Sequence, residues 1–162
     1  MHPGFVDEDG DSLLHGAKDP EMIRVLVEAG ADLYAVNDRT GWTPLMTAAV
    51  TNAVAGGMTM IELGADMAAR DHSQCTAVQL ATTPSMVLAL IKKGALKHLD
   101  PEEIKALAES DGPRTGGAEL VRKNRKIMAE IKREIAQEFR NRKEGVIRGL
   151  KKTKSKEEAI EI

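Results

Sequence analysis

The side chains that could do chemistry in this chain are few, and their spacing does not form a familiar site. Its four histidines stand at positions 2, 15, 72 and 98, and none of them pair at the spacing of metal ligands. Cys75 is the only cysteine, so we expect a plain surface or half-buried thiol. The histidine and cysteine positions therefore predict no metal site.

Two further motifs resemble binding loops but lack the residues that such loops require. The acidic cluster at 7–11 could mimic a calcium loop, but the required glycine and distal glutamate positions do not match. Gly56-Gly57 and Gly116-Gly117 lack the lysine and context of a phosphate loop. We therefore expect no cofactor and no enzymatic activity.

The composition is that of a soluble protein with an aliphatic core. Hydrophobic residues make up 42% of the chain, charged residues 30% and aromatic residues only 2%. No run approaches the roughly 18 apolar residues of a membrane span, and the acidic N-terminus lacks the regions of a secretory signal. A lone cysteine fits a reducing compartment. These features predict an intracellular, cytoplasmic protein with no membrane association.

The small net charge conceals two regions of opposite sign. Residues 1–96 contain 6 Lys/Arg and 12 Asp/Glu, a net charge of −6, whereas residues 97–162 contain 17 and 13, a net of +4. Within residues 120–156 the counts are 14 and 4, a net of +10. The chain therefore joins an acidic region to a basic one.

An internal repeat accounts for the acidic region. Shifting the sequence by 64 residues aligns many identical or similar residues without a gap. The aligned pairs are Asp7/Asp71, Ser12/Thr76, Ala17/Ala81, Pro20/Pro84, Met22/Met86, Leu26/Leu90, Gly30/Gly94 and Ala31/Ala95. A middle copy lies between them, because Thr43-Pro44-Leu45 follows Ser12 by 31 residues and precedes Thr76 by 33.

The middle copy carries a recognisable motif. Its residues 37–49 read a turn followed by Thr43-Pro44-Leu45-Met46-Thr47-Ala48-Ala49, which resembles the signature of the ankyrin-repeat family. Copy one keeps the pattern over 7–17, and copy three keeps it more weakly over 71–81. The resemblance implies an all-α solenoid of three helix-pair repeats over residues 7–96. It also implies that His15, at the family's usual histidine position, helps to fix a turn.

The physics of these positions agrees with paired helices. Hydroxyls at Ser12, Thr43 and Thr76 are suited to cap the start of each first helix. Glycines at 30, 64 and 94 are suited to end each second helix. In the middle copy, Gly56-Gly57 lies inside the second helix, which predicts a soft helix or a neighbouring backbone packed against it. We favour the soft helix.

The chain beyond the repeats divides into four predicted segments. Residues 97–110 form a capping helix that starts at Asp100-Pro101, ends near Glu109, and covers the last repeat with Ile104 and Leu107. Residues 111–117 are a linker. Residues 118–150 form a long amphipathic basic helix, and residues 151–162 a solvated charged tail. The repeat domain itself is assigned to residues 1–96.

The long helix has an apolar stripe whose target the sequence leaves open. The residues expected to dock it are Ile127, Ile131, Ile135 and Phe139, at three- and four-residue spacing. We favour packing of this stripe onto the repeats as a cap. The alternatives are association with a partner or with a second copy, and weak nonspecific nucleic-acid binding by the basic residues.

Family resemblance implies a protein-protein interaction module, an adaptor or an inhibitor, whose binding surface is formed by turn tips and the concave face of the first helices. Trp42 is the best candidate contact because aromatic residues often dominate interface energy, although it could simply cover the turn. The full set of predicted partner-binding residues is Tyr34, Asp38, Arg39, Thr40, Trp42, Met46, Arg70, Asp71, His72 and Gln79. The alternative function is a structural subunit anchored in a larger assembly by its C-terminal helix.

Overall fold

The computed structural model describes residues 4–109 and 118–160, with helix but not side chains described over 118–124. The predicted linker at 111–117 therefore lies outside the described residues. The regular secondary structure within them is helical, as predicted, apart from one isolated bridge between Val6 and Ser12. The helices are α1 (Leu13–Gly16), α2 (Pro20–Glu28), α3 (Pro44–Val50), α4 (Val54–Glu62), α5 (Ala77–Leu80), α6 (Pro84–Lys92), a 3-10 helix (Ala95–His98), α7 (Pro101–Glu109) and α8 (Ala118–Ile160).

The first six helices form three pairs that pack in series. Helix α3 contacts both α1 and α5, and α4 contacts both α2 and α6. The shared core is aliphatic and methionine-rich. Its fully buried large side chains include Leu14, Ile23, Leu45, Met46, Met60, Met86 and Leu90.

The same device starts the first helix of every pair, and Ser12, Thr43 and Thr76 are the N-caps as predicted. In each case the side chain three residues later accepts a hydrogen bond from the backbone N–H of the cap. The three acceptors are His15 Nδ1 at 3.0 Å, Met46 Sδ at 3.4 Å and Gln79 Oε1 at 2.8 Å. A ring nitrogen, a thioether and an amide oxygen therefore do one structural job.

The glycines inside α4 mark a close approach of another backbone, the alternative that the sequence analysis ranked second. A Cβ placed on Gly56 would lie 2.6 Å from the carbonyl oxygen of Lys18, and one on Gly57 would lie 2.9 Å from Cε of Met86. Both glycines are buried. Because any side chain at 56 would push α4 away from the first repeat, glycine is required there by packing.

The predicted capping helix is present as α7. The backbone N–H of Glu103 donates to Asp100 Oδ1 at 2.8 Å, and Glu103 Oε2 accepts from the N–H of Asp100 at 2.9 Å. This reciprocal pair satisfies two donors at the start of the helix. Ile104 is fully buried and Leu107 half-buried, so α7 covers the last pair as expected.

Helix α8 packs against α6 and α7 through the predicted stripe. Ile131 is 1% exposed and Ile135 4%, while Ile127 is half-buried and Phe139 is 38% exposed. An ion pair between Lys92 and Glu130 at 2.6 Å joins α6 to α8 beside the stripe. We call this contact the α6–α8 seam.

Beyond the seam, α8 continues further than predicted. Residues 143–160, here called the extension, are helical and exposed throughout. The long helix was predicted to end at residue 150 and a solvated charged tail to follow; the helix instead runs to Ile160, and residues 151–160 are exposed. The lysines there favour helix, and the packed half of α8 has already supplied the costly first turns. Within the described part of the chain, no helix combines the length and apolarity needed to cross a membrane.

Candidate protein-binding surface

The turns that precede α1, α3 and α5 have one architecture. Asp7, Asn37 and Asp71 open the three turns, and a side-chain oxygen of each accepts two backbone N–H groups from its own turn. The opening residue's own N–H closes each turn by donating to the carbonyl of Asp11, Trp42 or Cys75 at 2.9–3.0 Å. The Asp7/Asp71 match was visible in the sequence, whereas the shared role of Asn37 was missed.

Backbone hydrogen bonds link neighbouring turns into one surface. The N–H of Asp38 donates to the carbonyl of Asp9 at 3.2 Å, and the N–H of His72 donates to that of Thr40 at 3.1 Å. We call this row, residues 7–11, 37–42 and 71–75, the turn ridge. These bonds fix the spacing of the tips, so side chains on the ridge are presented on a rigid support.

Trp42 is partly buried between two turns. Its indole N–H donates to Asp71 Oδ2 at 3.1 Å, and its carbonyl oxygen lies 2.9 Å from His15 Nε2. Since Nδ1 of His15 accepts from Ser12, Nε2 carries the hydrogen and donates to that carbonyl. His15 thus helps to hold the turn before α3, as expected, and Trp42 links that turn to the one before α5.

Two predicted contact residues are not on the surface. Met46 is 1% exposed and Asp71 is 6% exposed. Met46 is a core residue whose sulfur caps its own helix, and Asp71 spends both carboxylate oxygens on the turn and on Trp42. A partner cannot reach either residue in this arrangement, so the prediction of partner contact is wrong for both.

Arg70 and Gln79 bind the capping helix instead of standing free. Arg70 forms two hydrogen bonds to Glu103, at 2.7 and 3.1 Å, and also donates to the carbonyl of Gln74 at 2.6 Å. Gln79 donates to the same carboxylate at 3.3 Å. The Arg70 hydrogen bond and the N–H of Asp100 lower the pKa of Glu103 to about 2, and the pKa of Arg70 is raised in return.

The remaining predicted residues are accessible. Asp38, Arg39 and His72 are exposed, and Thr40 is half-buried with its hydroxyl bonded to Asn37. The His72 ring lies over Gly41, where a Cβ would meet its Cδ2 at 2.5 Å. That glycine has a φ of +73°, so both its conformation and its missing side chain shape the ridge.

Tyr34 lies in the connection between the first two repeats and is 62% exposed. Its hydroxyl donates to the carbonyl of Gly64 at 3.0 Å, which holds the ring across the end of the second repeat. The ring face stays open to solvent although the hydroxyl is bonded. Tyr34 is therefore both a bridge between repeats and an accessible aromatic surface.

A cleft of about 510 Å³ lies where α5, the start of α6, α7 and α8 meet. Its polar lining comes from Gln79, Thr82, Thr83 and Glu103, and its apolar walls include Val78, Val87, Leu107, Met128 and Ile131. Among the residues that the structure describes, no group of three or more His, Cys, Asp or Glu side chains could hold a metal ion. The cleft has the chemistry to receive an apolar side chain.

No family model matches this chain, and no curated protein matches it either.

Proposed function

We propose that residues 7–96 form an ankyrin-type solenoid that binds a protein partner through the turn ridge and the adjoining concave face, as an adaptor or inhibitor. The observation that carries the proposal is the ridge itself, three equivalent turns joined by backbone hydrogen bonds. Serial packing of first helices on first helices and second on second supports the solenoid. Rigid presentation lowers the entropy lost on binding.

Charge indicates what kind of partner would fit. Glu8, Asp9 and Asp38 are exposed on the ridge, and Arg39 is its exposed cation, 3.5 Å from Asp9. Ion pairs this exposed contribute little to folding, so their charges remain available to a ligand. A basic protein segment fits this ridge best. An apolar side chain of the same partner would enter the cleft beside Gln79.

Trp42 has a supporting role in this proposal. Its hydrogen bond to Asp71 couples the second and third turns, so its loss would disturb the spacing of the tips. We therefore expect Trp42→Phe, which keeps an aromatic ring of smaller size and removes the indole N–H, to lower stability more than it lowers intrinsic affinity. The direct contacts to the partner that we propose are Tyr34, Asp38, Arg39, Thr40 and His72.

The test is a matched pair of charge reversals. A partner is first identified by affinity capture and mass spectrometry, then its affinity is measured for Asp9→Lys with Asp38→Lys. Glu102→Lys with Glu109→Lys, two exposed acids on α7, gives the same charge change away from the ridge. We expect the ridge variant to bind at least about tenfold more weakly, and the control to bind within about twofold of wild type.

Equal affinities for the two variants would overturn the ridge as the binding site. Circular dichroism melts of both variants check that each remains folded. Loss of capture on deleting residues 143–162, with the ridge variants unaffected, would favour the alternative of a subunit anchored by its C-terminal helix.

A further inference from the structure

The docking face of α8 continues beyond the body. Ile135 is buried in the α6–α8 seam, and Val146 follows it by eleven residues, about three turns of helix. Leu150 lies one turn further along the same side. Val146 is 64% exposed and Leu150 65% exposed. The helix therefore presents, in register with its packed stripe, an apolar face that its own chain leaves uncovered.

A second uncovered face lies on α2, at the opposite end of the stack. Met22 is 54% exposed and Val25 58% exposed, and together they form one side of this helix. The equivalent methionine of the third repeat, Met86, is fully buried because it packs on Gly57 of α4. Met22 thus occupies a position at which this architecture buries the side chain against a neighbouring helix.

The two faces have opposite charge. Residues 146–156 of the extension contain five basic residues and no acidic one; Arg148 lies 3.4 Å from Glu144, and the other four are lysines. The α2 face is bordered by exposed Asp19, Glu21 and Glu28. Arg24 is the basic residue within α2, and Glu62 lies 3.2 Å from it, so the two together add no net charge beside this face. The apolar residues of the extension are therefore flanked by basic side chains, and those of the α2 face are flanked by carboxylates. The two surfaces are complementary in charge.

We propose that the extension of one copy docks on the α2 face of a second copy. Val146 and Leu150 would cover Met22 and Val25, and the flanking charges would pair. The contact is head to tail, since the two surfaces differ and each chain carries one of each. A contact between two single helices buries less surface than the roughly 1,200 Å² that stable complexes bury at their interface. We therefore expect association in the micromolar range or weaker.

Pairing of two extensions is less favourable. It would bring two basic runs of five charges together, and like charges repel at such an interface. Head-to-tail docking joins opposite charges instead. It also predicts weaker association at high salt, because exposed charges are screened.

Sedimentation velocity of the full chain over a concentration series tests the proposal. Variant H carries Val146→Glu and Leu150→Glu, variant F carries Met22→Glu and Val25→Glu, and each should be monomeric where wild type associates. All four residues are exposed, so the fold should survive, and circular dichroism checks this. Val36→Glu, at a residue that is 53% exposed and outside both faces, is the control and should associate like wild type.

Mixing variants H and F is the decisive step. Each retains one half of the contact, so an equimolar mixture should form a 1:1 dimer and grow no further. Wild type that stays monomeric at about 1 mM, a concentration that detects even weak association, would overturn the proposal. So would a variant F that associates like wild type, or a mixture that stays monomeric. Monomers that bind nonspecific duplex DNA through the extension would overturn it in favour of a nucleic-acid ligand.

Discussion

Helix α8 has two halves that differ in what holds them in place. Residues 125–142 pack on α6 and α7 and bury Ile131 and Ile135, whereas residues 143–160 are exposed on every side. Packing stabilises the first half, and local propensity alone acts on the second. The difference teaches that equal helical geometry can rest on unequal energies, so the same substitution should act differently in the two halves.

The largest expected difference lies in the apolar stripe. Ile131→Ala should lower the free energy of unfolding by about 2–5 kcal/mol, because it removes methyl groups from the buried seam and leaves a cavity. Leu150→Ala, on the exposed half, should change it by less than about 0.5 kcal/mol. Urea unfolding of both variants measures this. Equal losses would show that the extension is packed in solution.

Glycines give the next contrast. Gly56→Ala should destabilise by roughly 1–3 kcal/mol, because the new Cβ meets the carbonyl oxygen of Lys18 and forces a backbone shift. Gly145→Ala places its Cβ in open space in the extension, so the thermal unfolding of the packed body should be unchanged. Thermal unfolding monitored by circular dichroism compares the two. A stabilised Gly56→Ala would return support to the soft-helix interpretation of α4.

The third contrast is between two ion pairs, which should differ in how much they contribute to the pH dependence of stability. The pKa of Glu103 is lowered from 4.5 to about 2, chiefly by its hydrogen bond from Arg70. This stability is fully present above pH 4.5 and is lost as the pH falls towards 2, by on the order of 1 kcal/mol for a partly exposed pair. In Glu103→Gln the free energy of unfolding, measured by urea unfolding at several pH values, should therefore depend less on pH between 4.5 and 2.

The control for this pair lies in the extension. Glu144 and Arg148, 3.4 Å apart, form an exposed ion pair within α8. Glu144→Gln should leave the pH dependence of the free energy of unfolding unchanged. If Glu103→Gln and wild type lose stability in parallel between pH 4.5 and 2, the role assigned to Glu103 is wrong.

The smallest effect concerns helix content. Gly149→Ala should raise the helicity of the extension, since alanine is favoured over glycine by about 0.8–1.0 kcal/mol per residue in an exposed helix. Global unfolding should stay unchanged because the extension makes no packed contact. Far-ultraviolet circular dichroism gives the first quantity and urea unfolding the second. A rise in global stability would contradict the independence of the two halves.

The helical class, the caps and the stripe were predictable because each rests on local chemistry. Thr43 followed by Pro44 specifies a helix start by itself, and Ile131 and Ile135 specify a buried side by their spacing. The extension was predicted too short. Gly145 and Gly149 disfavour a helix locally. The packed half of α8 nucleates the helix that continues through them, and a local sequence pattern does not report that effect.

The candidate site was less predictable, because its residues act across repeats. Arg70 looks like a turn-tip residue, yet its partner Glu103 lies on the capping helix. Asp71 looks like an exposed acid, yet it holds the indole of Trp42. Gly56 could not be interpreted from its own helix, since the atom that requires glycine belongs to Lys18. Such pairings depend on how the helix pairs pack on one another, which the residue spacing within one pair does not encode.

Arg142 stands at the boundary between the two halves of α8, and this position has a mechanical consequence. Its guanidinium donates to the carbonyl oxygens of Leu96 at 2.7 Å and Leu99 at 3.0 Å. A continuous helix transmits tension along its axis, so a pull on the extension reaches this residue before it reaches Ile135. The hydrogen bonds of the Arg142 guanidinium would then break first under load. The α6–α8 seam would open from that end, one side chain at a time.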